Sequence, residues 1–444
     1  MKPILTVILG LLLLGSPVIP TGSLTVPKEE YQARRQLYMD RFHDGVTIIF
    51  NSPDDQDASA VKKDFYYLTG FSEPGAILVL SPNSPEQKET LFVPLRNPDQ
   101  ERWTGPRLEA GSDAEKLLGM ERVLTTNRFQ SELARLCASE RNIYTIIPTH
   151  PQEGNPSFEE AQVERLKKLF PYSQINNAGS QIASLRVQKS TAEIQLIRHA
   201  IEITLAGQRA AASVIADRRY EYEVEAAAEF EFLRRGAARP AYPSIVGSGP
   251  NSCILHYDKN RRMMNEGELV VVDAGAEYEE YAADITRTYP VGGKFTPRQR
   301  EIYDIVLGAQ EAALKQVKAG VQMGKGGPIH MAAFDFINSH GRDRQGNSLG
   351  RYFIHGTSHH LGLDVHDVVS QTNRTLEPGM VITIEPGVYI PEENLGIRIE
   401  DDVLVTKSGY ELLSQDLPRK AEEIERLMQE EKNHPPISGG EKNK

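Results

Sequence analysis

Cysteine is scarce in this chain, and its scarcity excludes the small folds that depend on disulfide bonds. The 444 residues include two cysteines, Cys137 and Cys253, which lie far apart in the sequence. Two cysteines define no disulfide framework, even in an oxidising compartment. We therefore predict that both are unpaired and pack as small apolar side chains.

Positive charge is also in short supply. The chain has 50 lysines and arginines against 61 aspartates and glutamates, a formal net charge of −11. It has no arginine-rich patch and no recognisable nucleic-acid motif, so we expect no nucleic acid among its partners. Apolar residues make up 39% and charged residues 25%, the balance of a soluble globular protein, and the length suits two domains.

The first residues form a short apolar run. One lysine is followed by mostly apolar positions up to Ser16, too few to cross a bilayer comfortably, and Pro17 and Pro20 follow. We interpret residues 1–26 as a signal peptide. An uncleaved N-terminal anchor is the alternative, because no clean cleavage site is present. The expected location is periplasmic or secreted, either free or anchored to a membrane by this segment.

Several familiar catalytic signatures are missing. The sequence contains no His-Glu-x-x-His, no Gly-x-Ser-x-Gly, no P-loop and no Gly-x-Gly-x-x-Gly that opens a helix. What it does contain is a concentration of histidine. Four of its eleven histidines lie in the stretch His355-Gly-Thr-Ser-His-His-Leu-Gly-Leu-Asp-Val-His-Asp367. Imidazole commonly binds metals and transfers protons near neutral pH, but solvated histidines on a helix or loop are the alternative.

The order of predicted elements divides the chain into two domains. Strands and helices alternate up to about Ser180, which predicts an α/β domain over residues 27–178. We interpret Asn176–Ser180 as a linker to an α+β domain over residues 185–430. There Ser190-Thr-Ala-Glu193 forms a capping box at the start of a long helix, and helix pairs alternate twice with strands. Residues 431–444 are polar, with paired prolines and glycines, and predict a disordered tail.

The second domain contains an internal repeat. Gly267–Gly275 and Gly379–Gly387 each run from a glycine through an apolar strand to a carboxylate six residues on, then to another glycine. Each block is followed by a return strand that carries a further acid. The pattern predicts two hairpins from one duplicated half, bearing the acids Asp273, Asp284, Glu385 and Glu400.

These acids lie among valine, isoleucine and tyrosine, where an unpaired carboxylate is costly. One interpretation is that each caps a turn or forms a buried ion pair with Arg287 or Arg398. The other is a cup of carboxylates which, with one imidazole, suits manganese and also cobalt or zinc. Four acids exceed the need of one ion. A pair of ions that lowers the pKa of a bridging water would support metal-assisted hydrolysis.

The residues that carry this pattern resemble aminopeptidase P, the Xaa-Pro aminopeptidases, within the pita-bread metallopeptidases. In the second domain the resemblance rests on the two repeat blocks, on the histidine stretch, and on the segments Asp284-Ile-Thr-Arg-Thr-Tyr-Pro-Val and Gly396-Ile-Arg-Ile-Glu400. In the first domain it rests on Asp64-Phe-Tyr-Tyr-Leu-Thr-Gly-Phe and Trp103-Thr-Gly-Pro-Arg107, which are more similar to aminopeptidase P than to prolidase. The resemblance implies an N-terminal α/β domain of the creatinase or ribonuclease H type. It also implies a C-terminal pita-bread domain with a pseudo-twofold repeat.

Residue by residue, the resemblance implies a site with two divalent metal ions, manganese being favoured. Its ligands would be Asp273, Asp284, His359, Glu385 and Glu400, with Glu385 also handling protons. His256 and His366 match substrate-contacting positions, His355 a supporting one, and Tyr389 and Arg398 a pair near the metals. For His256 a core position is the alternative, and for His355 a purely structural role.

The implied activity is removal of the N-terminal residue from peptides that have proline at the second position. The alternatives are prolidase, which uses the same centre on dipeptides, and a non-catalytic pita-bread module that binds protein. The resemblance also implies a homo-oligomer, a dimer or tetramer, in which Trp103 reaches a neighbouring subunit; a core tryptophan is the alternative. His360 departs from the aromatic residue usual in the family, and we expect it to line the site or lie at the surface.

Overall fold

The computed structural model describes residues 24–53, 60–137, 140–148, 156–369 and 374–432. The predicted leader lies outside these ranges up to residue 23, and so does the predicted tail from residue 433. The tail prediction is wrong for residues 431 and 432, which end the last helix. Within the described ranges, no helix has both the length and the apolar composition to cross a membrane.

The first domain is built on a mixed sheet of six strands in the order β4-β3-β2-β1-β5-β6. Strands β1 to β3 form an antiparallel meander, β4 runs parallel to β3, and β5 and β6 extend the other side in parallel. This is the α/β domain that the sequence predicts. The strands are β1 Val46–Phe50, β2 Ile77–Leu80, β3 Glu89–Val93, β4 Arg122–Thr125, β5 Asn142–Thr145 and β6 Gln174–Asn177.

Helices cover both faces of this sheet because its strands are apolar on both sides. Val46, Ile48 and Phe50 of β1 face a cluster formed with α5 and α6. Ile49, between them, packs in the main core with Tyr38 of α1 and residues of α2, as strand alternation requires. The helices are α1 Lys28–Arg41, α2 Ala60–Thr69, α3 Pro98–Thr104, α4 Ser112–Leu118, α5 Phe129–Leu136 and α6 Phe158–Leu169.

The predicted linker Asn176–Ser180 is not an irregular segment. Its first residues belong to β6, and helix α7 (Gly179–Arg186) begins two residues after the strand ends. The Asn177 side chain accepts hydrogen bonds from the backbone N–H groups of Gly179 and Ile147. A composition of small polar residues, typical of loops, here forms an edge strand and the start of a helix.

The second domain alternates helix pairs with strands, as predicted. The capping box at Ser190 is present and begins the longest helix, α8. The helices are α8 Thr191–Val214, α9 Glu221–Arg234, α10 Pro297–Leu314, α11 Pro328–His340 and α12 Ala421–Lys432. The strands are β7 Arg239–Pro240, β8 Ile245–Ser248, β9 Leu269–Ala274, β10 Ala276–Tyr278, β11 Tyr281–Ala282, β12 Ile285–Pro290, β13 Val381–Ile384, β14 Gly387–Ile390, β15 Leu395–Arg398, β16 Asp401–Val405 and β17 Tyr410–Leu412.

The internal repeat is visible in the strand pairing. Strand β9 pairs antiparallel with β12, and β13 pairs antiparallel with β16, each pair with buried side chains. A hydrogen bond from Glu400 N to Thr286 O connects the two halves. Both cysteines are unpaired as predicted; Cys137 is buried in the first domain, and Cys253 is partly buried in the second.

Candidate metal centre

The hairpins bring the four acids together at their ends. Asp273 is the last residue but one of β9, and Asp284 directly precedes β12, where Ile285 pairs with Ala274. In the other half, Glu385 directly follows β13 and Glu400 directly precedes β16, where Ile384 pairs with Asp401. Each acid therefore lies where a buried ladder begins or ends, at equivalent places in the two halves.

A buried glutamine supports each hairpin beside its acids. Gln208 of α8 donates to the carbonyls of Val272 and Ile285, the neighbours of Asp273 and Asp284. Gln310 of α10 donates to the carbonyls of Ile384 and Ile399, the neighbours of Glu385 and Glu400. The equivalent helix of each repeat thus satisfies the backbone next to the acids, which is a second mark of the duplication.

His359 is placed by pairing of the histidine stretch with β13. Its carbonyl accepts from Thr383 N, and Thr357 O accepts from Glu385 N. The imidazole Nδ1 lies 3.1 Å from His360 O, so Nδ1 carries a proton, and Nε2 would bind a metal ion after losing the proton that faces Asp284. Nε2 lies 3.4 Å from Asp284, 3.6 Å from Glu385 and 3.8 Å from Glu400. Ligand atoms of Asp284, His359 and Glu400 all lie within 4.8 Å of one another.

The electrostatics of this cluster fit divalent cations. Burial, together with the charge of Asp284, raises the pKa of Glu385 to about 7 and that of Glu400 well above its usual range. Burial lowers the pKa of His359, but the hydrogen bond and charge of Asp284 outweigh it and raise the value to about 9. The acids thus compete for too few positive groups. Hard carboxylate oxygens and one imidazole form a donor set that suits such ions.

Arg398 is the guanidinium that meets these acids. Its Nη2 lies 2.5 Å from Asp273 Oδ2, so the ion-pair interpretation holds for that acid. Arg287 instead pairs with the Asp401 carboxylate, at 2.7 Å, and donates to the backbone carbonyl of Glu400 rather than to its side chain. A single arginine cannot neutralise four carboxylates, and the ion-pair alternative is therefore wrong for the group as a whole.

The supporting residues form one hydrogen-bonded chain. Arg398 Nη1 donates to the Tyr389 hydroxyl at 2.9 Å, and this hydroxyl lies 2.9 Å from His355 Nε2. His355 Nδ1 lies 2.7 Å from Gly356 O, so Nε2 is the acceptor for the tyrosine proton. Burial, with the charge of Arg398, lowers the pKa of His355 to about 3 and keeps it neutral.

The substrate-contacting histidines predicted from the sequence lie at a cavity of about 240 Å³ beside the acids. His256 is exposed, so the core alternative for it is wrong. The His366 ring lies 4.3 Å from that of His359. The rest of the lining combines apolar and polar groups: Tyr242, Pro243, Ile245, Asp258, Asp273, Asp284 and Val365.

Two side chains differ from expectation. Tyr242 was not predicted, yet its hydroxyl lies 2.6 Å from both Asp273 Oδ1 and Asp284 Oδ1. It lies on the connection between β7 and β8, where no periodic pattern indicates a function. His360 is buried, not at the surface, and burial with the charge of Lys189 lowers its pKa to about 4.

The two hairpins with their carboxylates and one imidazole form a candidate metal site, and the family models define the class of protein as a metallopeptidase. Residues 195–407 match the model of metallopeptidase family M24, and residues 31–144 match that of the aminopeptidase P N-terminal domain. The chain belongs to the aminopeptidase P family, the Xaa-Pro aminopeptidases, and its second domain has the pita-bread fold.

The relatives cover most of the chain. The chain is 38% identical to Xaa-Pro aminopeptidase of Escherichia coli K12, over 91% of this chain and 98% of that one. It is 35% identical to human Xaa-Pro aminopeptidase 3, over 82% of this chain and 76% of the relative. The solved structure of Pseudomonas aeruginosa aminopeptidase PepP matches with a TM-score of 0.83 at 32% identity, covering 92% of this chain and all 100% of that one. Aminopeptidase P from E. coli with the inhibitor Pro-Leu matches with a TM-score of 0.80 at 35% identity, covering 92% and 99%.

Proposed function

We propose that the protein hydrolyses the bond between the N-terminal residue of a peptide and a proline at the second position, and that it does so at a centre of two divalent ions. The observation that carries this proposal is the group of four acids at the ends of the two hairpins, three of which lie 3.4–3.8 Å from His359 Nε2 and which outnumber the cationic groups beside them. The whole-length similarity to Xaa-Pro aminopeptidases supports the substrate class.

Asp273, Asp284, His359, Glu385 and Glu400 would hold the ions. When bound, such ions polarise a carbonyl and lower the pKa of a coordinated water. Burial raises the pKa of Glu385 to about 7 when no cation is present, and bound ions would lower it. Its role as proton carrier is proposed from the family position that it matches, beside the ions it would hold. Arg398 orients Asp273, and Tyr389 and neutral His355 hold that arginine from the other side.

The cavity has an apolar wall against which a proline ring could pack. The bond before proline is a tertiary amide without N–H, and the ring fixes φ, so the site needs an apolar wall and no partner for an amide proton. Pro243, Ile245 and Val365 supply such a wall beside Asp273 and Asp284. His256 and His366, at the same cavity, are placed to hold the substrate.

Hydrolysis of Arg-Pro-Pro and Gly-Pro by the purified chain, stripped of metal and refilled, tests this proposal. We expect release of arginine from the tripeptide, with Arg-Ala-Pro as a control that is cleaved far more slowly. Cleavage of Gly-Pro alone would establish the prolidase alternative. No cleavage of either peptide by the metal-filled protein would favour a non-catalytic module.

Manganese is the proposed native metal, with cobalt or zinc as alternatives, and the metal content of protein purified without added ions distinguishes them. We further propose export, which the N-terminal residue of the mature protein tests. A homo-oligomer is also proposed. The indole of Trp103 is 90% exposed, which excludes the core alternative and leaves it available to a neighbouring subunit. The native mass, with Trp103→Ala as the variant, tests that contact.

A further inference from the structure

A second buried charge cluster lies between the domains, and none of the roles described above uses it. Its centre is Arg186 at the end of α7, whose side chain is 1% exposed. Nη1 donates to Asp64 of α2 in the first domain at 2.6 Å. Nη2 donates to Asp364 at 2.9 Å and to Asp367 at 2.6 Å, both in the histidine stretch of the second domain.

Lys189 completes this cluster three residues further along the chain. Its ammonium donates to the other oxygen of Asp367 at 2.8 Å, and both side chains are 1% exposed. The packing here is tight. A Cβ on Gly362 would collide with the Asp367 carboxylate and with the Lys189 side chain, so only glycine fits under the ion pair.

The two aspartates lie on either side of Val365 and His366, which line the substrate cavity. The backbone between them is held as well, since Asp367 N donates to His360 O at 2.9 Å and Gly362 N to Asp364 O at 3.1 Å. With a carboxylate fixed at each end, the intervening pair has little freedom to move. The His366 imidazole is thereby kept against the ring of His359.

Stability alone is a weak explanation for this arrangement. Four of the five charged groups, all except Asp364, are almost fully removed from water, which is expensive, and apolar replacements of buried ion pairs are often equally stable. A planar guanidinium with a fixed fork of donors instead defines the relative positions of its three partners. We therefore interpret the cluster as fixing the relative positions of the segments that it joins.

We propose that Arg186 is a positioning residue for the reaction: it holds Val365 and His366 at the substrate cavity and makes their position depend on the first domain through Asp64. This inference rests on the proposed function, because it assigns His366 to the substrate. It gives the first domain a part in the active site of its own chain.

A double-mutant cycle tests whether Arg186 acts through His366. The variants are Arg186→Lys, which keeps the charge but loses the fork, and His366→Ala, alone and combined. Since displacement of a reacting geometry by about 1 Å can cost up to about 100-fold, we expect Arg186→Lys to lower kcat/KM about 10-fold or more on Arg-Pro-Pro. In the His366→Ala background the same change should have less than about a 2-fold effect. If the double variant instead loses kcat/KM by the full product of the two single-variant losses, the proposal is overturned.

Two further measurements separate positioning from general damage. Metal content per chain should be unchanged in Arg186→Lys, and Arg198→Lys, which alters an exposed arginine paired with Glu411, should retain full activity. Asp64→Asn, in the other domain, should repeat the loss of kcat/KM and show the same dependence on His366. If Arg186→Lys does not fold, Asp364→Asn takes its place, because Asp364 lies at the rim of the cluster.

Hydrogen exchange distinguishes failure of this inference from failure of the proposed function. Amides of residues 360–369 should exchange faster in Arg186→Lys than in the wild type, whatever the enzyme hydrolyses. Unchanged exchange there would overturn the positioning role, even in an active enzyme. An inactive wild type with faster exchange in the variant would overturn the proposed function and leave the structural coupling intact.

Discussion

The metal centre and the Arg186 cluster between the domains, here called the interdomain cluster, are both groups of largely buried carboxylates, but they differ in how much positive charge the chain places beside them. In the interdomain cluster Arg186 and Lys189 meet three aspartates, and the charges nearly balance. In the metal centre the same number of cationic groups, Arg398 and His359, meets four acids, and burial raises the pKa of three of them, Asp273, Glu385 and Glu400. The interdomain cluster contains nearly enough positive charge from the chain itself to balance its carboxylates. The metal centre has more carboxylates than cationic groups, and this excess of potential negative charge is what the binding of divalent ions requires.

Removing metal should have the largest effect on activity, and it should change the metal centre without changing the interdomain cluster. We expect chelation to abolish hydrolysis and refilling to restore it. At a free ion concentration 100 times Kd each bound ion adds about 2.7 kcal/mol to the free energy of unfolding, which corresponds to roughly 5–10 °C in Tm per ion. Activity and calorimetry on stripped and refilled protein measure this. In Arg186→Lys the metal-dependent part of the Tm should be the same, and a loss of that part would contradict the independence of the two clusters.

The second largest effect should come from Glu385, which is both a ligand and the proton carrier in our proposal. Glu385→Gln should lower kcat by about 1000-fold or more, since general acid–base catalysis alone contributes roughly 100- to 10,000-fold. Steady-state kinetics with circular dichroism as a check of folding provide the measurement. Glu392→Gln, an exposed residue on the neighbouring turn, is the matched control. Near-normal turnover of the Glu385 variant in metal-replete buffer would contradict the proposed centre.

A smaller effect is expected at Tyr242, which contacts two acids of the metal centre. Partners that orient metal ligands are typically worth 10–100-fold in metal affinity or activity, so Tyr242→Phe should weaken metal binding by about that factor. Titration of the stripped protein with Mn²⁺ checks this. Tyr257→Phe, which removes a hydroxyl bonded to Glu221 outside the cluster, should leave metal affinity unchanged.

The pH dependence of the free energy of unfolding should distinguish Asp64 from Asp367 in the interdomain cluster. Burial raises the pKa of Asp64 to about 6 despite Arg186. The folded state therefore holds this proton more strongly than the unfolded state, and the wild type should gain stability relative to Asp64→Asn as the pH falls from 7.5 to 5. Although burial opposes it, Lys189 and Arg186 lower the pKa of Asp367 to about 2. Its contribution should therefore persist to about pH 4 and fade only below.

Both differences are on the order of 2–3 kcal/mol, because one pKa unit corresponds to about 1.4 kcal/mol. Urea unfolding of the stripped protein between pH 4 and 8 measures the Asp64 difference without interference from metal, and extending the series to about pH 2 measures the loss of the Asp367 contribution. A constant difference between wild type and Asp64→Asn across this range would contradict the buried position of that carboxyl. Asp113→Asn, an exposed acid in the same domain, supplies the flat reference.

The sequence predicts the metal centre better than the interdomain cluster, for a physical reason. An acid that interrupts Val-Val-Val or Val-Ile-Thr-Ile stands out, because the neighbouring apolar residues already indicate a buried strand. Arg186 and Lys189 lie in Leu-Arg-Val-Gln-Lys, where charged residues look solvated, and only the meeting of two domains buries them. Tyr242 was missed for the same reason, since its partners are brought to it by tertiary structure. The ligand and substrate roles carried over from the family stay predictions, although the structure brings all of those residues together.

Gln208 and Gln310 hold the backbone beside the four acids through hydrogen bonds to the neighbouring carbonyls. Since helices α8 and α10 hold the backbone beside the acids, the cup owes its shape to packing, whereas a zinc finger folds only around its ion. Metal ions would therefore bind to a site that already has its shape. We expect the rate of binding to depend on entry through the cavity and on release of protons from the acids. A departing ion leaves behind a site ready to accept the next one.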